Sequence, residues 1–283
     1  DYFAITRRGK NVPRIILRSW LAALLLVATI TGGSFAQSLK PEPSFNSPYQ
    51  QTQTEYNYSK ELKLNGDYFE GYISDIKNIL ISPSGWERSD WIKASLIAGI
   101  TAGLYTQDQK IQDWVQENRS SVSDKISEFA KPFGDGRYTL PGLGALYLYG
   151  HLFEDEKAQR TALLSLKSFV ISGLFVQALK FTGHRHRPSS GDPYNTWDGP
   201  GFSTSNLSFP SGHSSSAFTI ATVIASEYRD KAFVPPLVYG IATLTALSRV
   251  NDNSHWASDV FFGAIVGYLT AKAIMALNNG VRS

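Results

Sequence analysis

Cysteine is absent from this 283-residue sequence, and charged residues are scarce at 18%. Without cysteine, disulfide bonds and thiolate-bound metals are excluded. The low charge fraction is unusual for a soluble domain and leaves contact with a membrane open. The formal charge of +3 arises from residues 1–36, which hold five basic groups and one acidic group. Because the rest of the chain is close to neutral, no nucleic-acid partner is expected.

The sequence also lacks extended polar–apolar alternation and internal repeats, which argues against a β-sheet domain or a repeat array. Apolar stretches of helical character lie instead at about 91–105, 140–153, 162–180, 212–228, 233–250 and 257–277. This pattern predicts an all-α fold, a helical bundle of about six core helices. A polar segment at 107–131 has apolar residues three, four or seven apart, which predicts an amphipathic helix on the bundle surface.

Three regions are expected along the chain. Residues 1–36 are typical of an export signal or an N-terminal anchor, because basic groups precede a short apolar run and Ser34-Phe35-Ala36 resembles a cleavage site. Residues 37–89 are expected to form a polar spacer, and residues 90–283 the helical domain.

The sequence leaves two locations for the helical domain, in the periplasm or within the inner membrane. Most apolar stretches are shorter than the ~20 residues that a membrane-spanning helix needs. This slightly favours a soluble or peripherally attached periplasmic bundle over an integral inner-membrane form. An exported leader would leave residues 37–89 in the periplasm. If every later segment then crossed, the helix ending at Lys180 would run into the cytoplasm. A periplasmic-side site therefore requires that one early segment does not cross, or that none does.

Four of the five histidines, His184, His186, His213 and His255, lie in a part of the chain that also holds three short motifs. The motifs are Lys180-x6-Arg187-Pro188, Pro210-Ser211-Gly212-His213 and Ser248-Arg249-x5-His255-x3-Asp259. Clustering of the rarest titratable residue with basic residues indicates a functional site.

The basic residues of these motifs suit a phosphate. Phosphoryl transfer without a metal requires fixed positive charge around the equatorial oxygens of the transition state. Lys180, Arg187 and Arg249 can supply this charge, and arginine is suited to gripping two oxygens. Free N–H groups at the helix start after residue 210 can bind an anion, with Gly212 permitting close approach and the Ser211 hydroxyl adding a donor.

The remaining motif residues suit acid–base and nucleophilic chemistry. His213 can protonate a departing oxygen. His255 and Asp259 are four residues apart and share one helical face. Asp259 can accept a hydrogen bond from one ring nitrogen of His255, which leaves the other nitrogen bare and nucleophilic. Each motif alone has an ordinary structural explanation, as a basic loop, a helix cap or a surface pair, but their joint order favours a catalytic site.

The three motifs resemble the signature motifs of the type 2 phosphatidic acid phosphatase (PAP2) superfamily, which includes lipid phosphate phosphatases, bacterial class A acid phosphatases and vanadium haloperoxidases. The resemblance extends from about Leu140 to Ala276, with all three motifs intact. It implies an α-helical bundle in which His255 is the nucleophile and forms a phosphohistidine, His213 is the general acid and Asp259 orients His255. It also implies phosphate contacts from Lys180, Arg187, Ser211, Gly212 and Arg249.

The expected function is that of a metal-independent phosphatase, without a cofactor, acting on a phosphomonoester or diphosphate of an envelope lipid. The alternatives are a broad-specificity periplasmic acid phosphatase acting on soluble esters, a vanadate-dependent haloperoxidase, and a structural envelope protein with an inactive site. An inactive relative would be free to lose His213, His255 or Asp259, so their presence argues against the last alternative.

The loop at 189–208 and the residues just before it allow more than one interpretation. His184 and His186 are expected to face solvent, with an influence on substrate choice or pH response as the alternative. Metal binding by this pair is not favoured, because no third ligand has a suitable spacing. Trp197 and Phe202 are candidates for an apolar lip against a lipid chain, or for packing of the loop onto the bundle.

Overall fold

The computed structural model describes residues 62–278. Nine α-helices form in this range, which contains no β-strand. They are α1 Gly66–Ile81, α2 Arg88–Tyr105, α3 Asp108–Glu117, α4 Ser121–Ala130, α5 Gly136–Leu152, α6 Glu156–Gly183, α7 Gly212–Glu227, α8 Val234–Asn251 and α9 Ala257–Asn278. The predicted all-α bundle is confirmed, and the six apolar stretches correspond to α2 and α5–α9. The predicted leader, residues 1–36, lies outside the described residues.

Polar side chains define where several helices begin. Asn65 accepts a hydrogen bond from the Tyr68 N–H at the start of α1, and Asp155 accepts one from Ala158 at the start of α6. Ser211 caps α7 in the same way. Each cap satisfies backbone N–H groups that the first helical turn leaves unpaired.

Glycines allow α7 and α9 to pack closely. A Cβ atom at Gly267 would lie 2.1 Å from the Ser215 carbonyl oxygen, and one at Gly263 would lie 2.4 Å from that of Ser211. No other residue fits at such distances. The helices therefore approach through their backbones, and the Ser211 N–H donates to the Asp259 carbonyl at 2.9 Å.

The bundle core packs the later turns of α7 and α9 against the first half and middle of α6. Its buried cluster consists of Leu164 and Ile171 from α6, Val223 from α7, and Ala271, Ile274 and Met275 from α9. Because the core fixes α6, α7 and α9 relative to one another, their ends are held in register as well.

The predicted amphipathic helix at 107–131 is two helices, α3 and α4. The chain breaks where Ser120 caps α4 by accepting from the Ser123 N–H at 3.2 Å. The two helices pack beside the end of α8, where Gln112 donates to the Val250 carbonyl at 3.2 Å.

Helix α1 lies inside the stretch expected to be a polar spacer. Its Tyr68 hydroxyl donates to the Leu163 carbonyl at 2.8 Å. Its Asp75 forms a buried ion pair with Lys167 at 3.0 Å. Residues 66–81 are therefore packed on the helical domain.

The long helices share one end, called here the site end. Helices α6 and α8 finish there, and α7 and α9 start there. The α2 terminus also lies at this end, because Tyr105 contacts the Tyr194 ring at a centroid distance of 5.3 Å. The start of α5 lies at the site end as well. Gly134, two residues before α5, is so close to α7 that a Cβ atom there would lie 2.5 Å from the His213 carbonyl oxygen.

Two described helices, α6 and α9, are long and apolar enough to cross a membrane by length and composition. About half of each is buried inside the bundle, which is also typical of core helices in soluble proteins.

Candidate active site

The imidazole of His255 is held by a backbone carbonyl. Its Nδ1 lies 2.7 Å from the Ser208 carbonyl oxygen. A carbonyl can only accept a hydrogen bond, so Nδ1 carries the proton and Nε2 keeps a free lone pair. The free lone pair of the His255 ring therefore lies on Nε2.

Asp259 supports His255 less directly than the sequence predicts. Its Oδ2 lies 3.8 Å from Nδ1 of His255, beyond hydrogen-bonding distance. Oδ2 instead accepts from the Ser208 hydroxyl at 2.6 Å and from the Trp256 N–H at 3.0 Å. Asp259 thus fixes the loop residue that holds His255, and its buried negative charge still lies close to the ring.

The carbonyl before Ser208 positions Lys180. The Lys180 ammonium donates to the Leu207 carbonyl oxygen, and its side chain is almost completely buried. Because Leu207 and Ser208 are consecutive, Lys180 and His255 are brought side by side although they are far apart in sequence.

Arg249 is oriented by the loop between α8 and α9. Its Nη2 donates to Asp252 Oδ2 at 2.6 Å, and its Nε donates to the Ser248 hydroxyl at 3.0 Å. The Ser127 hydroxyl of α4 in turn donates to Asp252 Oδ1 at 2.7 Å. The Arg249 carbonyl accepts from the His255 N–H at 3.2 Å, which places the arginine next to His255.

His213 stands in the first turn of α7 with one ring nitrogen uncommitted. Its Nε2 is buried and has no hydrogen-bond partner among residues 62–278. The ring lies near His255 and near the Arg249 guanidinium, whose positive charge acts on it. A buried ring nitrogen without a protein partner is suited to exchange a proton with a bound substrate.

The other predicted phosphate ligands lie at the same end of the bundle. Ser211 is fully buried at the α7 N-terminus, and Arg187 is exposed, with its charge acting on Lys180 and Arg249. A Cβ atom at Gly212 would make only an ordinary 3.9 Å contact with Val176. The protein itself does not require glycine there, which fits a backbone left open for a close anion.

Burial, with the positive charges of Lys180 and Arg187, lowers the pKa of His255 to about 4, although Asp259 acts in the opposite direction. The ring is therefore neutral at neutral pH. A neutral imidazole with a bare Nε2 is the form that can attack phosphorus.

The long loop is attached to the site by two histidines. His184 is buried, and its Nδ1 and Nε2 lie 3.0 Å from the carbonyl oxygens of Gly199 and Ser203, so it does not face solvent as expected. His186 reaches Asp192 at 2.7 Å and Asp198 at 2.9 Å. These contacts fix the loop that supplies the Leu207 and Ser208 carbonyls.

The described residues contain no group of three histidine or carboxylate side chains suited to hold a metal ion. Trp197 packs on the bundle, with its indole N–H donating to the Tyr105 hydroxyl at 3.1 Å. Phe202 is 91% exposed on the same loop. Of the two proposed lip residues, Phe202 is the one left open to an external apolar group.

Several residues of the site are not specified by the motifs. Ser208 acts through its backbone, which no side-chain pattern reveals. Arg185 and Asp108 meet behind Asp259, on the side away from His255. The signal for Arg185 is its place between the two basic ends of the first motif, whereas Asp108 is marked only by its position at the start of an amphipathic segment.

Comparisons with known proteins find similarity to one superfamily. The PAP2 superfamily model matches residues 161–282. The chain is 37% identical over 103 residues to lipid A 1-phosphatase of Porphyromonas gingivalis, covering 36% of this chain and 20% of that protein. It is 29% identical over 153 residues to a PA-phosphatase related-family protein of Dictyostelium discoideum, covering 48% of this chain and 56% of that protein.

A solved structure has the same overall fold. It is the transmembrane PAP2 type phosphatidylglycerolphosphate phosphatase from Bacillus subtilis, with a TM-score of 0.50 and 20% identity, covering 76% of this chain and 96% of that one. The chain thus spans a fifth and about half of the two curated relatives. Since the family match contains all three motifs and the fold agrees, the region 161–282 belongs to the PAP2 superfamily.

Proposed function

We propose that the protein is a phosphatase that removes a phosphate group from an envelope lipid through a phosphohistidine at His255. The observation that carries this proposal is the Ser208 carbonyl on Nδ1 of His255, which leaves Nε2 bare beside Lys180 and Arg249. The similarity to a lipid A 1-phosphatase supports the choice of a phosphorylated lipid as substrate.

In the first step, Nε2 of His255 attacks phosphorus and the bond from phosphorus to the leaving oxygen breaks. His213 gives a proton to that oxygen, and the dephosphorylated lipid leaves. Lys180, Arg187 and Arg249 stabilise the charge on the equatorial oxygens. The negative charge of Asp259 stabilises the cationic phosphohistidine.

In the second step, water attacks phosphorus and gives a proton to His213 as the bond to Nε2 of His255 breaks. Inorganic phosphate is released, and both histidines return to their starting states. These steps use no metal and no cofactor, because the fixed side-chain cations supply the positive charge.

We further propose that the bundle is integral to the membrane. Helix α2 is apolar over most of its length, yet none of its residues is buried. On α5 and just after it, Leu152 and Phe153 are 73% and 70% exposed. Apolar surface of this extent is typical of a face that contacts lipid or protein, and lipid chains would cover both helices while the backbone bonds within each helix satisfy its polar groups.

The shared site end determines the sidedness of such a bundle. Because α2 runs from Arg88 to the site end at Tyr105, residue 84 and the catalytic loop would lie on opposite faces of the membrane. We propose that the site faces the periplasm. The residues before α2 would then remain on the cytoplasmic face, which is incompatible with the export of residues 37–89 expected from the leader.

The function is tested by measuring phosphate release from purified protein in EDTA, with a lipid phosphate in detergent and a soluble ester side by side. A strong preference for the lipid is expected. Equal rates or a preference for the soluble ester would reject the lipid assignment in favour of a broad acid phosphatase. Absence of turnover on every phosphoester would reject the phosphatase assignment.

A further inference from the structure

The side chain of Arg185 is completely buried. It lies in sequence between Lys180 and Arg187, the two basic residues of the first motif that we assign to the phosphate. Its Nη1 donates to Asp259 Oδ1 at 2.6 Å and to the Ser258 hydroxyl at 2.8 Å. Its Nη2 donates to Asp108 Oδ2 and to the Tyr194 carbonyl, both at 2.7 Å. The guanidinium is thus fully used within the protein and is directed at the back of Asp259.

Three aromatic rings enclose this guanidinium. Its central carbon lies 4.7 Å from the ring centroid of Tyr105, 5.3 Å from Trp197 and 5.4 Å from Trp256. Such rings attract a cation and keep water away. In a site shielded from water, hydrogen bonds between charged groups are strong and strongly directional.

Asp108 connects the same network to α3. Its side chain is completely buried, and Oδ1 accepts from the Ser258 N–H at 2.9 Å in the first turn of α9. Burial raises the pKa of Asp108, while Arg185 and Ser258 act in the opposite direction. Asp108 therefore depends on Arg185 for its charge compensation, as Asp259 does.

We propose that Arg185 and Asp108 are positioning residues for the nucleophile. Asp108 holds Arg185, and Arg185 holds Asp259, whose carboxylate lies 3.8 Å from Nδ1 of His255. This proposal rests on the proposed phosphatase function. It assigns a role in the reaction to α3, which lies before the region matched by the family model.

The fork of the guanidinium is essential to this arrangement. Two terminal nitrogens, each with its own set of acceptors, keep the carboxylates of Asp259 and Asp108 at fixed positions on either side. A lysine would retain the charge but offers one nitrogen on a flexible stem. Arg185→Lys therefore separates the charge of this residue from its geometry.

The test compares wild type, Arg185→Lys and Asp108→Asn, with Arg119→Lys as the matched control. Arg119 forms an exposed ion pair with Asp124 at 2.6 Å. Measured quantities are kcat, KM, and the inhibition constants of orthovanadate and inorganic phosphate. The inhibition constant of orthovanadate depends on the transition-state geometry at Nε2 of His255. The inhibition constant of phosphate depends mainly on the positive charges of Lys180, Arg187 and Arg249.

For Arg185→Lys we expect kcat to fall about 10–100-fold, the size of loss seen when the outer partner of a metal-ligating side chain is removed. The inhibition constant of orthovanadate should rise by a similar factor, while KM and the phosphate constant stay within about twofold of wild type. Asp108→Asn should also lower kcat and raise the inhibition constant of orthovanadate, but by smaller factors. Because the two residues act in one network, the double variant should have a kcat no lower than that of Arg185→Lys alone. Arg119→Lys should match wild type.

Two outcomes would overturn the inference. Unchanged kcat in Arg185→Lys would show that the residue does not position His255. Parallel weakening of orthovanadate and phosphate binding would show a general loss of the site or of the fold. A wild-type protein without turnover would reject the proposed function instead, so the two failures are distinguishable.

Discussion

Replacement of Ser208 by alanine separates the two ways in which this residue supports His255. The substitution removes the hydroxyl that donates to Asp259 at 2.6 Å, but it keeps the backbone carbonyl that accepts from Nδ1 of His255 at 2.7 Å. If the carbonyl holds the ring, the nucleophile stays in the same tautomer and orientation after the substitution.

The expected magnitude follows from the bonds that remain. A hydrogen bond to a charged group contributes about 1.5–3 kcal/mol to stability. After Ser208→Ala, Asp259 still accepts from the Trp256 N–H and from Arg185. Only part of that free energy should therefore appear in the activation barrier, and we expect kcat to fall no more than about tenfold, which corresponds to about 1.4 kcal/mol.

Asp259→Asn serves as the contrast, because it removes the charge next to His255. In serine proteases, replacing the aspartate of the catalytic triad by asparagine lowers kcat by about 10⁴, and we expect a larger loss here than for Ser208→Ala. Ser205→Ala, on the same loop and exposed, is the matched control for the serine substitution.

The assay is kcat on a lipid phosphate in detergent, with unfolding followed in parallel through tryptophan fluorescence. If Ser208→Ala lost as much activity as Asp259→Asn while remaining folded, the hydroxyl and not the carbonyl would be the essential group. The assignment of Nε2 as the nucleophile through the backbone contact would then be wrong.

Other predictions concern metal dependence, sidedness and pH. EDTA should leave turnover unchanged and orthovanadate should inhibit competitively, whereas a strict requirement for added divalent metal would contradict the proposed steps. Because the chain has no cysteine, a single introduced cysteine is the only thiol that can react. Ser205→Cys should react with a membrane-impermeant maleimide from the periplasmic side, and Ser84→Cys should react only after permeabilisation. Reaction at both positions without permeabilisation would contradict an integral bundle. Hydrogen bonds to Asp192 and Asp198 raise the pKa of His186, so the stability that His186 gives the loop is present below its unfolded pKa and is lost as pH rises through its folded pKa. Hydrogen exchange in residues 189–208 should therefore increase over that pH interval in wild type but not in His186→Gln. An equal increase in both proteins would refute this role.

The sequence predicts the helices and the motif residues because both depend on local patterns. Apolar periodicity indicates the six long helices, and fixed spacings place Lys180 at a helix end and Asp259 one turn after His255. The prediction of one helix at 107–131 fails at Ser120, which starts a new helix by capping it. A capping serine within a polar segment is difficult to distinguish from a surface residue.

Other features depend on contacts between distant parts of the chain. Asp108 and Arg185 are 77 residues apart, and neither has a sequence pattern that indicates the other. The Ser208 carbonyl belongs to the backbone, so its contact with His255 depends on the path of the loop. His184 is buried by the loop that folds over it, although its polar neighbours predict exposure.

The central claim is that His255 carries the phosphoryl group during turnover. The direct measurement is rapid quenching of the purified protein during hydrolysis of a substrate with a radiolabelled phosphate group, followed by peptide mapping. We predict an acid-labile, alkali-stable phosphohistidine at His255 that is absent from His255→Gln. Label on another residue, or steady turnover without any labelled protein at early times, would contradict the account.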